Sequence, residues 1–241
     1  MRKFSISIAL FLSVLMLSSC IDDTEPISAP YDYYSHYNFG MTESGDIEGT
    51  TQGWEMAYSE VAEENVTDYD FKLDSIKRMG YWGLDISNNN QEEAFQYIKT
   101  SISGLQPNTN YSITMKLKMI SFLEDNILSD TQMDSSSVSL KFGAFTSEIS
   151  TELDENNVIR LKDLDLGSVS ESGDDLQKIG NIPVPKLANN PLQLFGNNFD
   201  EPISAKTDES GNLWVALGFH TKAVAHHGVF FDEVTLYFKG I

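Results

Sequence analysis

Four histidines and 36 Asp and Glu residues are the side chains of this 241-residue chain suited to acid–base or metal chemistry. His220 closes one alternating stretch and His226-His227 open the next, with Thr221 to Ala225 as the turn between them. Across such a hairpin two imidazoles approach within ligand distance of a metal, an Asp or Glu completing the set. The other reading is solvated turn histidines, since adjacent residues of a strand face opposite ways. Glycoside hydrolysis needs two carboxylates across the scissile bond, and with 36 acidic residues some pair meets that spacing by chance. The chain has no G-x-S-x-G elbow, H-E-x-x-H, Walker loop, G-x-G-x-x-G or EF-hand loop. Nothing in the local sequence pairs a Ser with a His. The expectation is a protein without catalysis.

Aromatic residues are the better lead. A pyranose presents an apolar C–H face that stacks on Trp or Tyr, while its hydroxyls need Asn, Asp or Gln partners. Trp214 and His220 fall opposite Leu213, Val215, Leu217 and Phe219 in an alternating run, which places them outside a core. Trp54, Tyr58, Tyr81 and Trp82 gather in sequence near Asn88-Asn89-Asn90-Gln91. The expected ligand contacts are Trp214, His220, Trp54, Tyr58 and Tyr81, against the alternative that aromatics of a β-sandwich are core. Trp82 alternates with Leu84 and Ile86 and is expected to point inward.

The N-terminus carries an address. Arg2 and Lys3 precede a mostly apolar run, Ile6 to Leu17, too short for a membrane span of about 20 residues but suited to a secretory signal. It ends in Leu17-Ser18-Ser19-Cys20, which resembles the lipobox of bacterial lipoproteins, with Cys20 as the lipid acceptor. The acidic stretch Ile21-Asp22-Asp23-Thr24-Glu25 resembles the export signal of Bacteroidota lipoproteins. These likenesses imply a lipid-anchored protein of the outer membrane facing the cell exterior. Cys20 is the only cysteine, so no disulfide and no Cys metal site follow. Expected organisation is a signal peptide over 1–19, a lipidated Cys and flexible tether over 20–36, and one domain over 37–241.

Placing these residues requires strands. Tyr111, Ile113, Met115, Leu117 and Met119 alternate with Ser112, Thr114, Lys116 and Lys118, the period of a half-buried strand. Val138 to Ala144, Leu213 to Phe219 and Phe230 to Phe238 repeat the pattern, with Ser139 and Lys141 on a wet face. Shorter strands are expected at 54–58, 69–73, 81–86 and 95–102, with turns at Pro107-Asn108 and Ser210-Gly211-Asn212. No amphipathic helix or internal repeat is evident. The fold class is all-β, an antiparallel β-sandwich or jelly roll with long acidic loops. Residues 121–175 hold 13 acidic and 3 basic side chains, and 146–205 is expected to be long loops with a few short strands.

Three stretches resemble carbohydrate-binding jelly rolls of the family 4/9, galactose-binding-like type. They are Tyr37-Asn38-Phe39 with Gly53-Trp54, the run Ile102 to Tyr111, and Phe231-Asp232-Glu233-Val234-Thr235-Leu236. Together with Lys178 to Ile182 they also resemble uncharacterised secreted lipoproteins. The resemblance implies a glycan or glycoconjugate ligand and a structural calcium at the closing Asp. Asp232 shares the period of Phe230, Val234 and Leu236, so its carboxylate is expected to point inward, where a charge must be paired, hydrogen-bonded or metal-bound. Calcium at Asp232, with Asn38 and Glu43, is one alternative; a hydrogen bond to a neighbouring turn is the other. With 16 basic residues against 36 acidic, the net charge is −20. This argues against nucleic acid and against docking on anionic lipid, leaving the anchor as the membrane contact. The same charge repels anionic glycans, so neutral sugars are expected. A protein-binding envelope component or adhesin is the second reading, and a jelly-roll glycosidase or lyase the third.

Overall fold

A computed structural model describes residues 32–39, 51–76, 81–88, 92–123, 138–183, 185, 192–197, 202–222 and 227–241. Fifteen strands fall among them: β1 (Tyr33–Asn38), β2 (Glu55–Ser59), β3 (Val61–Ala62), β4 (Tyr69–Ile76), β5 (Tyr81–Asn88), β6 (Ala94–Ile102), β7 (Asn110–Leu123), β8 (Val138–Phe145), β9 (Thr151–Leu153), β10 (Val158–Leu161), β11 (Gln177–Asn181), β12 (Leu192–Asn197), β13 (Ile203–Lys206), β14 (Leu213–Thr221) and β15 (His227–Gly240). A 3-10 turn, Glu63–Asp68, is the one helical piece among the described residues.

The strands form an antiparallel β-sandwich. One sheet runs β12-β7-β15-β5-β4, with β1 added to β15 and β13 to β7; the other runs β11-β8-β14-β6-β2. Alternation decides which side chains meet. Ile113, Met115 and Leu117 of β7, with Val234, Leu236 and Phe238 of β15, face Ile98, Leu140, Phe142, Val215 and Leu217 of the second sheet in one core. Burying such a side chain stabilises the fold by about 1.5–3 kcal/mol.

Two findings shift the expected boundaries. Tyr33–His36, read as tether, belong to β1, which pairs residue for residue with β15 from Tyr33↔Phe238 to Asn38↔Glu233. Strand β15 then breaks its own period. Between Phe231 and Glu233 the register slips by one, at the point where β15 exchanges β5 for β1 as neighbour. The inward set is therefore Val229 and Phe231 before the bulge, and Val234, Leu236 and Phe238 after it.

The acidic stretch after β8 is ordered and acts as a cover. A small sheet, β3-β10-β9, and the following loop lay Ile149, Leu161, Leu166 and Leu176 over the outer face of the second sheet. There they meet Phe95, Tyr97, Phe145 and Ala216 in a second core. The β9–β10 hairpin closes on Asp154, whose Oδ1 accepts the amides of Asn156 and Val158 at 2.8 and 2.9 Å. Asp208 makes the same turn before β14, accepting from Ser210 and Asn212 at 2.8 and 2.7 Å. A short side-chain acceptor that mimics the backbone explains Asp at both positions.

Candidate functional site

Two grooves flank the cover. The larger, about 580 Å3, is lined by Phe145, Thr146, Ser147, Glu148, Lys162 and Lys206 among others. The smaller, about 400 Å3, lies along β2: Met56, Ala57 and Tyr58 face Thr151, Glu152 and Leu153 of β9 and Ile159 of β10, with Glu63 from the 3-10 turn. β2 is the last strand of its sheet, so this groove follows a sheet edge. Leu153 is 49% exposed there, one of the few large apolar side chains on the described surface. Tyr58 is half-buried, seated on Val61 and Ala94. Wall and floor are thus apolar and aromatic, with hydroxyl and carboxylate groups beside them.

The expected ligand residues scatter. Tyr58 alone of them lines a groove. Trp54 is 1% exposed, wedged edge-on against Tyr37 and Phe39 at 5.2 and 6.3 Å between ring centroids, so it is core and offers no ring face to a ligand. Trp214 does face away from the main core, but that face is covered: it is half-buried, packs on the second core and carries the Lys99 ammonium 5.5 Å from its ring centre. Lys99 is held in place by Glu148 at 2.8 Å and the Ile149 carbonyl at 3.0 Å. His220 is on the same outer face and is fully buried beneath the cover. Tyr81 lies on β5 opposite Ile76, and its side chain falls outside the described residues, as does that of Trp82. Cys20 and Glu43 lie outside them altogether.

Asp232 is buried as expected, at 3% exposure, but the bulge turns it away from the sandwich interior and towards Lys118 on the outer face of β7. The Lys118 ammonium sits 2.5 Å from its carboxylate and 3.4 Å from that of Glu233. The lysine supplies a positive charge beside this carboxylate, whereas the two alternatives open from sequence are calcium and a hydrogen bond to a neighbouring turn; these bonds raise the Lys118 pKa in turn. Asn38 is exposed at the end of β1, its carbonyl accepting from Gln52. Among the described residues no three His, Cys, Asp or Glu side chains gather as a metal site.

Lys141, His220 and His227, whose pKa values burial lowers, are engaged in the framework. Lys141, expected on a wet face, is completely buried. Its ammonium donates to the carbonyls of Leu166, Ser168 and Glu171 at 2.5, 2.7 and 2.7 Å. Burial pushes its pKa down to about 8, against the pull of Asp165. His220 donates through Nε2 to Glu93 at 3.0 Å, and Glu93 also holds Lys222 at 3.3 Å. Burial, aided by the Lys141 charge, drops the His220 pKa to about 4 despite Glu93. His227 faces the sandwich interior instead, so it and His220 are not brought together as metal ligands.

A Ser–His pair invisible in the sequence does exist. Ser121 and His227, 106 residues apart, meet at 2.9 Å. Ser121 donates its proton to the Pro183 carbonyl at 2.7 Å, so the imidazole Nε2 carries the hydrogen of the Ser–His bond. Both residues are fully buried, and burial drops the His227 pKa to about 3. The hydroxyl is neither activated nor reachable from a groove. This pair ties a loop to the sheet.

No protein-family model matches the chain, and no curated protein matches it. Among solved structures it is similar to the enzymatically active domain of tailspike protein 4 of bacteriophage CBA120, at 10% identity and a TM-score of 0.33, covering 78% of this chain and 19% of that one. It is similar to the CBM22-1–CBM22-2 tandem of Xyn10C from Paenibacillus barcinonensis, at 14% identity and a TM-score of 0.34, covering 86% and 46%. A third is the xylan-binding module CBM15, at 10% identity and a TM-score of 0.32, covering 85% and 95%. The chain thus spans less than half the length of the first two.

Proposed function

We propose that this protein is a non-catalytic glycan-binding module, lipid-anchored through Cys20 at the outer face of the outer membrane. The observation that carries the reading is the groove along β2. It puts Tyr58 and the apolar side chains of Met56, Leu153 and Ile159 beside Thr151, Glu63 and Glu152. A sugar ring needs that combination, an aromatic and apolar surface for its C–H face and oxygen acceptors for its hydroxyls. Strands β2, β9 and β10 hold the groove, so little conformational entropy is lost on binding. Lys141, His220 and His227, whose pKa values burial lowers, are bonded into the framework, and none of the described groups with shifted acidity lines this groove, which favours binding over turnover.

The test is a glycan array probed with the purified full chain and with Tyr58→Ala, followed by titration calorimetry on the hits. Truncating a partly buried aromatic contact is expected to weaken binding by about tenfold or more. Hits untouched by the substitution would move the site elsewhere, and a blank from folded protein would reject the reading. The edge position of β2, with Leu153 exposed beside it, favours a second reading, an envelope protein that binds a partner by strand addition.

A further inference from the structure

The groove along β2 is charged on one side only. Glu63 opens the 3-10 turn and Glu152 stands at the centre of β9. Both are exposed and both line the groove, while no lysine, arginine or histidine does so among the described residues. Neither carboxylate has a side-chain hydrogen bond or ion pair there. The nearest base is Arg160, which stands directly across the β9–β10 ladder from Glu152; its guanidinium is engaged by Glu60 and Asp154 rather than by Glu152. The larger groove differs: it sets Lys162 and Lys206 among Glu148, Asp163 and Asp175. Local charge at the β2 groove also agrees in sign with the whole chain, whose net charge is −20.

We infer that the β2 groove selects glycans bearing free ammonium groups, the unacetylated hexosamines, over their N-acetylated and neutral counterparts. This rests on the glycan reading and names its ligand class. An ammonium donates charge-assisted hydrogen bonds to Glu63 and Glu152, whose cationic neighbour Arg160 is paired with Glu60 and Asp154 instead, while the ring beside it lies on Tyr58. The field of the whole chain draws a cation towards the same place, within a screening length of about 8 Å at physiological salt. A basic peptide would match the charge but not the backbone. β2 offers five residues of edge and β9 three, and Glu60, at φ 63°, bends the chain out of strand geometry where β2 ends, so a long added strand has no continuous ladder.

The experiment titrates the full chain with a glucosamine hexamer, the matching N-acetylglucosamine hexamer, cellohexaose and hexalysine. The amino-sugar hexamer is expected to bind on the order of tenfold tighter than its N-acetylated twin. That advantage is expected to vanish at a pH where the amines are neutral, and in the Glu63→Gln/Glu152→Gln double variant. Tyr58→Ala is expected to weaken binding of all three sugars. Equal affinity for the charged and N-acetylated hexamers overturns the inference and leaves the glycan reading standing. Binding to none of the three sugars overturns both. Hexalysine competing as well as the amino sugar, or an advantage that survives the double variant, also overturns the inference, because either would place the selectivity outside this groove's fit.

Discussion

His227 and His220 both stay uncharged at neutral pH, because each is buried and neither can gain enough from a partner to offset desolvation of an imidazolium. The unfolded chain takes up a proton on each near pH 6.5, whereas the folded chain does so near 3 for His227 and near 4 for His220. Between those limits the unfolded state binds more protons, so stability falls as pH drops below about 6.5, by up to about 1.4 kcal/mol per pH unit for each histidine. Urea unfolding at pH 7, 6 and 5 is expected to show this loss, and His227→Gln is expected to flatten it. A stability constant across that range would contradict the burial of both rings. Neither residue announces its burial in sequence. His220 has the alternation of a surface position, and Ser121, the partner of His227, is 106 residues away. Asp232 is the converse case: its burial was legible from the period, but its direction was not, since a one-residue bulge leaves Val234, Leu236 and Phe238 inward as expected while putting Phe231 inward in place of Phe230 before it.

Among elements, the cover over the second sheet departs most from expectation. The eight strands expected from alternation or apolar content are all present, because each carries enough apolar side chains on one face to require a partner. The segment after Phe145 is acidic and polar, and the apolar residues it buries in the second core, Ile149, Leu161, Leu166 and Leu176, are spaced too irregularly to mark a strand or helix. What seats it is Lys141. Its ammonium draws three carbonyls of the loop together, and Gly173 passes so close to Asp165 that a Cβ there would sit 2.2 Å from its carbonyl oxygen. Lys141→Met leaves those carbonyls without their donor and is expected to cost about 2–4 kcal/mol, read by urea unfolding. Hydrogen exchange localises the effect: Gly173 and Leu176, bonded to Leu176 and Asp165, are expected to lose protection while β7 and β15 keep theirs. Protection lost equally everywhere would mean that the cover and the sandwich open as one.

At the scale of the whole molecule, the net charge and the proposed anchor each carry a consequence. A net charge of −20 keeps the chain away from polyanions and lends any cationic ligand a salt-dependent association rate. The proposed anchor predicts that Cys20→Ser moves the protein from the detergent phase of fractionated envelopes to the aqueous phase. The same distribution for both forms would remove lipid attachment from the account. One chain alone binds a membrane marginally, so the proposed attachment would need several acyl chains to be stable.

Sequence by itself determined the all-β class, the strands with a clean period of two and the sign of the charge. Those are local or additive properties, and each residue contributes to them wherever its partners lie. Tertiary structure alone decided that Trp54 is core, that Trp214 is capped by Lys99, that Lys118 answers Asp232, and that Tyr58 shares a groove with Glu152 almost a hundred positions away. Each of those outcomes depends on which strand edges and faces come to lie together, and on a bulge or a buried ammonium that repositions a whole segment. A period of two says that a side chain leaves the core; it does not say what waits for it on the other side.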